Sequence, residues 1–422
     1  MGAGVLTPRP VGLDPALLRS IAVRVGTPAY VYSAGLIRAQ YHALEDALRA
    51  VPHRICYAIK ANGNLGVLRV LRQLGAGADI VSLGELERAR RAGFDPARIV
   101  FSGVGKTADE LDAAIAAGVG QINVESPSEL DALIASARRV GQPAAVGIRV
   151  NPDVATDTHP YTKTGDKTAK FGVPFDEVVT VAGRIAAESG LSLTGLAMHL
   201  GSQINDVAPY HRGTVKLLEL VAAVRAAGIT TLASLDVGGG LGVRYHAEVV
   251  PTLAEWTAAV VPPIRAAGLA LHCEPGRFLV ANAGLLLTRV LYRKHAGGKD
   301  YVIVDAGMTD FVRPSHYNAH HDIVPLTGGE RPLELVNIVG PICESGDFLA
   351  LDRKLPEVHP GEFLAVLGTG AYGFVMSSVY NARPRPPEVL VDGDKYFVAR
   401  ERESIDDLFR GEVTEPTTWY RT

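Results

Sequence analysis

The chain has 422 residues, 47% of them hydrophobic and 21% charged, with a formal net charge of -3. That length suits two domains, and the composition is that of an ordinary globular protein with enough apolar residues for a large core. The charge balance gives no basis for binding nucleic acid or an anionic membrane, and no uninterrupted apolar run is long enough to span a bilayer.

In chain order, the opening MGAGVLTPRP lacks the basic and apolar regions of a secretory signal, and Leu6 stands where a myristoylation pattern needs Ser or Thr. After this Pro-rich start, residues 26–32 read as a turn followed by a strand, and apolar residues recur at helical spacing over 34–50. Strands are then predicted at 54–60, 78–82, 98–103, 121–125, 144–150, 193–200, 234–238 and 269–274. Amphipathic helices are predicted between them, at 65–74, 84–93, 107–117, 126–140, 175–189, 208–227 and 251–267. Eight short apolar runs alternating with helices predict a TIM-type (β/α)8 barrel over 34–284. The rival, a doubly wound open sheet, fits the count less well and calls for a G-x-G-x-x-G turn after the first strand, which is missing. Beyond about residue 285, strand-like runs at 286–292, 301–304, 333–339, 362–367 and 388–391 are separated by Gly, Pro and Asp turns. These predict a mostly β domain over 285–422, with the segment 1–33 pairing into it. Cys56, Cys273 and Cys343 are far apart and odd in number, so they offer neither a disulfide framework nor zinc-ligand spacing; a reducing cytoplasm is the expected compartment.

In such a barrel, chemistry collects at the C-terminal ends of the strands. The first strand ends in YAIKAN (57–62), which places Lys60 after an apolar run. A lysine there loses hydration, so its pKa is expected to fall and its amine to become a nucleophile fit for Schiff-base chemistry. The plainer reading is a lysine reaching out to solvent from a strand end. Strand two ends near Asp79 and Ser82, strand six at His199, strand seven at the glycine turn 238–242, and strand eight at Glu274, with Arg277 just beyond. A run of glycines lets backbone N–H groups approach an anion, although alone it reads equally as a tight turn. Its place after strand seven matters more, because barrels commonly hold phosphate near strands seven and eight. Taken singly, Glu274 and His199 read as ordinary rim residues. Together with Lys60 and the glycine turn they fit one ligand, pyridoxal 5'-phosphate: Glu274 facing the pyridine nitrogen and keeping it protonated, His199 stacking on the ring.

YAIKAN, DIVSLGEL (79–86), HLGSQ (199–203), DVGGGLG (236–242) and EPGR (274–277) resemble the fold-type III pyridoxal-phosphate enzymes, the group of alanine racemase-like barrels and basic amino acid decarboxylases. RVNPDV, THPYTKTG and KFGV (149–173), VRP-x-x-Y (312–317), CESGDFLA (343–350) and GAYGFVMSSVYNARPRPPEVLVDG (370–393) are similar to the diaminopimelate decarboxylase family within that group. The resemblance runs in order from about residue 26 to 393. It implies that Lys60 carries the cofactor, that Asp79 and His199 lie near the ring, and that Glu274 meets the pyridine nitrogen. Ser202, Gly239, Gly240, Gly276, Arg277 and Tyr372 then hold the phosphate. Arg277, Arg313 and Tyr317 bind the substrate's distal carboxylate, Glu344 its distal ammonium, with Tyr372 beside them, and Cys343 donates a proton after carbon dioxide leaves. In that family Cys343 and Glu344 reach the site from the partner, so a homodimer with shared sites is implied. The implied reaction converts meso-2,6-diaminopimelate, a small amino acid substrate, to L-lysine and carbon dioxide. A guanidinium fork matches a distal carboxylate, whereas an ornithine-type substrate has none to offer. The alternatives are decarboxylation of D-lysine, D-ornithine or carboxynorspermidine, a racemase, or a non-catalytic pyridoxal-phosphate-binding protein. Phe278, Ser315 and His316 depart from the family's usual residues and bear on the choice of substrate. His316, His320 and His321 cluster in sequence, but no carboxylate or Cys stands at ligand spacing, so no metal is expected.

Overall fold

The computed structural model describes residues 12–157, 159, 164, 165, 169–327, 329–415 and 418; the opening MGAGVLTPRP and most of THPYTKTG lie outside them. Eight parallel strands form the larger unit: His53–Ala58, Gly77–Ile80, Ile99–Phe101, Gln121–Val124, Ala144–Asn151, Leu191–Ala197, Ser234–Asp236 and Ala270–Cys273. Each pairs with the next, and the last returns to the first with Leu271 opposite His53 and Cys273 opposite Ile55. The sheet is therefore closed, which is the expected barrel and not the open doubly wound alternative. Gly77–Ile80, Ile99–Phe101, Gln121–Val124 and Ser234–Asp236 are buried along their whole length, as strands covered on both faces must be. A two-residue strand, Val173–Pro174, adds beside the fifth.

The helices between strands begin and end where local chemistry satisfies their free backbone groups. Ser82, Thr107, Ser126 and Thr252 each accept from the backbone N–H three residues on, and Thr107 and Thr252 form capping boxes with Glu110 and Glu255. Gly93 and Gly141 end their helices in the left-handed conformation.

The second sheet runs Phe348–Pro356, Leu333–Val339, Lys299–Val304, Gly284–Ala296, Ala29–Ser33, Glu388–Asp392, Lys395–Arg400, with Phe363–Leu367 also on Gly284–Ala296 and Ile323–Pro325 beyond it. Ala29–Ser33 lies in its interior, antiparallel to Gly284–Ala296 and parallel to Glu388–Asp392, and every residue of it is buried. Among the longer elements, three escaped the sequence pattern, as did short ones such as Ile323–Pro325 and Arg313–Tyr317. The helix Pro15–Val25 starts inside the Pro-rich stretch, where Asp14 caps it and Pro15 takes the first-turn position that proline tolerates. Phe348–Pro356 and Lys395–Arg400 are the two ends of the main run of strands, and charged residues (Asp352, Arg353, Lys354, Lys395, Arg400) break their apolar alternation, which an edge strand tolerates.

Candidate active site

Lys60 does not sit in the first strand. The strand stops at Ala58, and Ile59–Ala61 make one 3-10 turn that carries the lysine over the barrel mouth. Polar side chains pin this turn to the β domain. Asn62 Nδ2 donates to the Gly370 carbonyl at 3.0 Å, Asn64 Nδ2 donates to Glu388 Oε2 at 2.9 Å, and the Tyr57 hydroxyl donates to the Asn62 carbonyl at 3.0 Å. From the other side, the Ala58 N–H donates to the Pro275 carbonyl, which ties YAIKAN to EPGR.

Lys60 Nζ donates to Asp79 Oδ2 at 2.7 Å, and the Asp79 side chain has no exposure. The expected fall in the lysine's pKa is reversed. Burial does push it down, but Asp79 above all, then Glu274 and Tyr372, outweigh that and leave the amine's pKa above its ordinary value. The sequence could not show that Asp79, a strand away, would stand within hydrogen-bond reach.

His199 is half-buried beside Lys60 in the cavity wall. Its Nδ1 accepts from the Gly239 N–H at 3.2 Å, which leaves the ring proton on Nε2. Burial, then Lys60 and Arg149, hold its pKa well below normal, so the ring is neutral. Glu274 and Asp236 complete an acidic floor. Burial first, then Asp79 and Asp236, drive the Glu274 carboxyl well above the usual carboxylate range. Asp236 is pushed up to about 7, mainly by burial and against the Gly238 N–H bonded to it. Asp79 Oδ1 and Asp236 Oδ2 are buried without hydrogen-bond partners among the described residues.

The glycine turn is locked to this floor. A Cβ on Gly239 would lie 2.2 Å from the Glu274 carbonyl, and one on Gly240, whose φ is +94°, 2.3 Å from the Gly201 carbonyl. Gly276 packs where a Cβ would come within 2.9 Å of the Ala61 methyl. Only glycine fits these three places, and together they leave a side-chain-free cradle next to Ser202 and Arg277. Tyr372 reaches the cavity from the β domain with φ +56°, held there by its N–H to the Ala61 carbonyl at 2.8 Å. These features fit pyridoxal phosphate. Unpartnered buried carboxylate oxygens call for a cationic ring nitrogen at one end, and a backbone-lined cradle with an arginine suits a phosphate at the other.

A cavity of about 800 Å³ opens over Lys60 and is lined by His199, Ser202, Tyr245, Arg277, Arg313, Tyr317 and Tyr372 among others. Arg277 donates to Ser202 Oγ at 3.0 Å and to the Tyr245 hydroxyl at 2.8 Å, and its guanidinium lies 4.8 Å from the Tyr372 ring centre. Arg313, at the start of the short helix Arg313–Tyr317, also donates to the Tyr245 hydroxyl at 2.8 Å. Tyr317 ends that helix with its ring edge-on to His159. Tyr245 and Asp236 were not singled out from the sequence. Asp236 stood inside the glycine motif, while nothing local marks the tyrosine in GVRYHAE.

Two of the sequence-derived site residues are elsewhere. Cys343 and Glu344 are exposed and do not line the cavity. The Cys343 N–H donates to Asn381 Oδ1 at 2.8 Å, and the loop is braced by buried Asp347, which accepts from the Ile342 and Met308 N–H groups, each at 2.6 Å. Phe278, Ser315 and His316 also stay off the cavity wall. The histidines do meet a carboxylate, contrary to the sequence reading: His246, His320 and Asp322 bring ligand atoms within 4.8 Å of one another. Arg353 donates to His320 Nδ1 at 3.2 Å, so His320 Nε2 keeps its proton and bonds Asp322 at 2.9 Å. In that tautomer the ring has no lone pair to give a metal.

Residues 34–281 match the family described as pyridoxal-dependent decarboxylase, pyridoxal binding domain. The chain is 49% identical to the diaminopimelate decarboxylase of Pseudomonas aeruginosa over 94% of this chain and 96% of the relative. It is 44% identical to that of Vibrio cholerae over 94% and 95%. The crystal structure of the Helicobacter pylori diaminopimelate decarboxylase complexed with L-lysine superposes with a TM-score of 0.90 at 40% identity, covering 93% of this chain and 98% of that one. Matches of this strength run through the barrel and the β domain alike, and on them the chain belongs to the diaminopimelate decarboxylases, carboxy-lyases that use pyridoxal phosphate.

Proposed function

We propose that this protein decarboxylates meso-2,6-diaminopimelate to L-lysine and carbon dioxide, in lysine biosynthesis, as a cytoplasmic homodimer with shared active sites. One observation carries the choice of substrate. Arg277 and Arg313 are both buried in the wall of the Lys60 cavity, and neither is in an ion pair among the described residues. Two dehydrated guanidiniums beside a reactive amine suit a substrate with a second carboxylate far from the bond to be broken.

Bound pyridoxal phosphate supplies the electron sink for the pair released with carbon dioxide. The chain's own residues do the rest. Lys60 is the covalent anchor. Its proton must leave before the amine can react, and Asp79 at 2.7 Å is placed to take it. Glu274, whose proton is held firmly in the buried floor, would pass it to the ring nitrogen and remain as the carboxylate that keeps it there, and neutral His199 offers its face to the ring without adding charge. Arg277, Arg313 and Tyr317 fix the far head of the substrate, so the near carboxylate is presented to the reacting centre in one orientation. Cys343 of the partner subunit returns a proton to the substrate carbon, and Glu344 of the partner subunit receives the distal ammonium. Exposure of both residues, away from the cavity of their own chain, supports this arrangement. Three free cysteines fit a reducing cytoplasm. Among the described residues, no helix is long and apolar enough to cross a membrane.

The test is carbon dioxide release from a panel of meso-diaminopimelate, its LL isomer, D-lysine and D-ornithine. Turnover of meso-diaminopimelate should dominate; preferred turnover of D-lysine or D-ornithine would refute the assignment.

A further inference from the structure

Tyr245 lies on the loop after the seventh strand, and its hydroxyl oxygen is the meeting point of two cations. Arg277 and Arg313 each donate to it at 2.8 Å, and their guanidiniums lie 5.9 and 4.8 Å from its ring centre. The tyrosine is itself wedged. Its N–H donates to the Glu248 carboxylate at 3.1 Å, the His321 ring packs edge-on at 4.9 Å, and a Cβ on Gly368 would stand 3.1 Å from its ring. His321 is fixed in turn by Nδ1 on the Leu367 carbonyl at 2.8 Å.

We infer that Tyr245 is a positioning residue that holds Arg277 and Arg313 converged on one point and so sets the enzyme's preference for a substrate with a distal carboxylate. This rests on the proposed function above. Two guanidiniums repel one another, and burial strengthens the repulsion. A shared oxygen offsets it and keeps both forks aimed into the cavity before substrate arrives, which removes that ordering cost from binding. The charged and titratable groups facing the tyrosine agree with this role. Arg277 and Arg313 donate to its oxygen, Glu248 accepts from its backbone, and His321 is kept neutral by burial and Arg313. Burial alone would raise the phenol's pKa; the two arginines outweigh it and bring it below the usual value.

Tyr245→Phe keeps the ring and its packing and removes only the oxygen. A hydrogen bond to a charged group accounts for roughly 10- to 100-fold in affinity. KM for meso-diaminopimelate and the Kd of L-lysine, which retains the distal carboxylate, should rise by about that factor. The kcat at saturation should change less than KM, and the turnover of D-lysine, which lacks that carboxylate, should fall less than that of meso-diaminopimelate. A purely structural role would lower all of these together. A second readout is proton uptake. A carboxylate seated on the arginines weakens their hold on the Tyr245 oxygen and raises its pKa, so L-lysine binding at alkaline pH should take up more protons in the wild-type holoenzyme than in Tyr245→Phe, measured by calorimetry in buffers of different ionisation enthalpy. Equal uptake in the two proteins would count against the inference. A wild type that binds L-lysine, beside a Tyr245→Phe variant that binds it equally or more tightly, overturns the inference alone. A wild type that neither binds L-lysine nor releases carbon dioxide from meso-diaminopimelate overturns the functional reading and the inference with it.

Discussion

Arg313→Ala tests the substrate reading most directly. Arg313 is 7% exposed, and among the described residues its guanidinium has one hydrogen-bond partner, the Tyr245 hydroxyl. Burial, then Tyr245 and Arg277 in opposite senses, leave its pKa below the ordinary arginine value, so folding has already dehydrated this cation and set it beside another. A substrate carboxylate arriving there gains a charge-assisted pair without a further dehydration cost on the protein side. Truncating one partner of such a pair costs about 2–5 kcal/mol. Because Arg277 remains to hold the carboxylate, the lower part of that range applies, about 2–3 kcal/mol. That corresponds to a fall of roughly 30- to 200-fold in kcat/KM. The assay is carbon dioxide release from meso-diaminopimelate and, separately, from D-lysine. The first should fall by this factor and the second should hold, so the ratio between them collapses, while the bound cofactor's absorbance is unchanged. Normal turnover of meso-diaminopimelate by Arg313→Ala would refute the reasoning. An equal fall on both substrates would show that the arginine supports the fold or the cofactor instead.

Borohydride reduction of the holoenzyme followed by peptide mapping should label Lys60, and a label on another lysine would remove its assignment as anchor. Lys60→Ala and Cys343→Ala, each nearly inactive alone, should regain activity when mixed under conditions that exchange subunits. Random pairing restores about a quarter of all sites if each site draws on both chains, and the absence of recovery after confirmed exchange excludes a shared site. His272, on the eighth strand, is buried with Nδ1 unpartnered, and burial, then Arg54 and Arg98, lower its pKa to about 4. The unfolded chain takes up this proton near pH 6.5 and the folded chain does not, so the contribution is complete above pH 6.5 and is lost as pH falls toward 4, at up to about 1.4 kcal/mol per pH unit. His272→Gln should therefore flatten the drop in urea midpoint between pH 7 and 5; an unchanged drop would show that other groups carry it.

The barrel was legible because its strands are covered on both faces, and runs such as Ile99–Phe101 leave a continuous apolar signal at strand length. Edge strands such as Lys395–Arg400 were not, because solvent on one side allows charged residues that break the pattern. At the site, residues with a motif around them could be named in advance: Lys60 in YAIKAN, Glu274 in EPGR. Their electrical state could not, since it depends on what the fold brings alongside, as Asp79 does for Lys60. Tyr245 was invisible for the same reason. Its partners are 32 and 68 residues away, and no local spacing announces a contact made at that range.

Ala29–Ser33 leaves the ribosome before any part of the barrel, yet both strands that flank it are made after the barrel is complete. During synthesis this AYVYS segment has two open edges and nothing to pair with. An apolar strand in that condition is a template for pairing with other chains. The barrel, whose strands pair with their sequence neighbours except where the last closes on the first, needs nothing beyond Cys273 for its sheet and can close while the segment waits. The expected order of co-translational assembly is therefore the barrel first and the sheet last. The turn carrying Lys60 acquires its brace from Glu388 only at the final step, so the newly made enzyme cannot become competent until nearly its whole length has emerged.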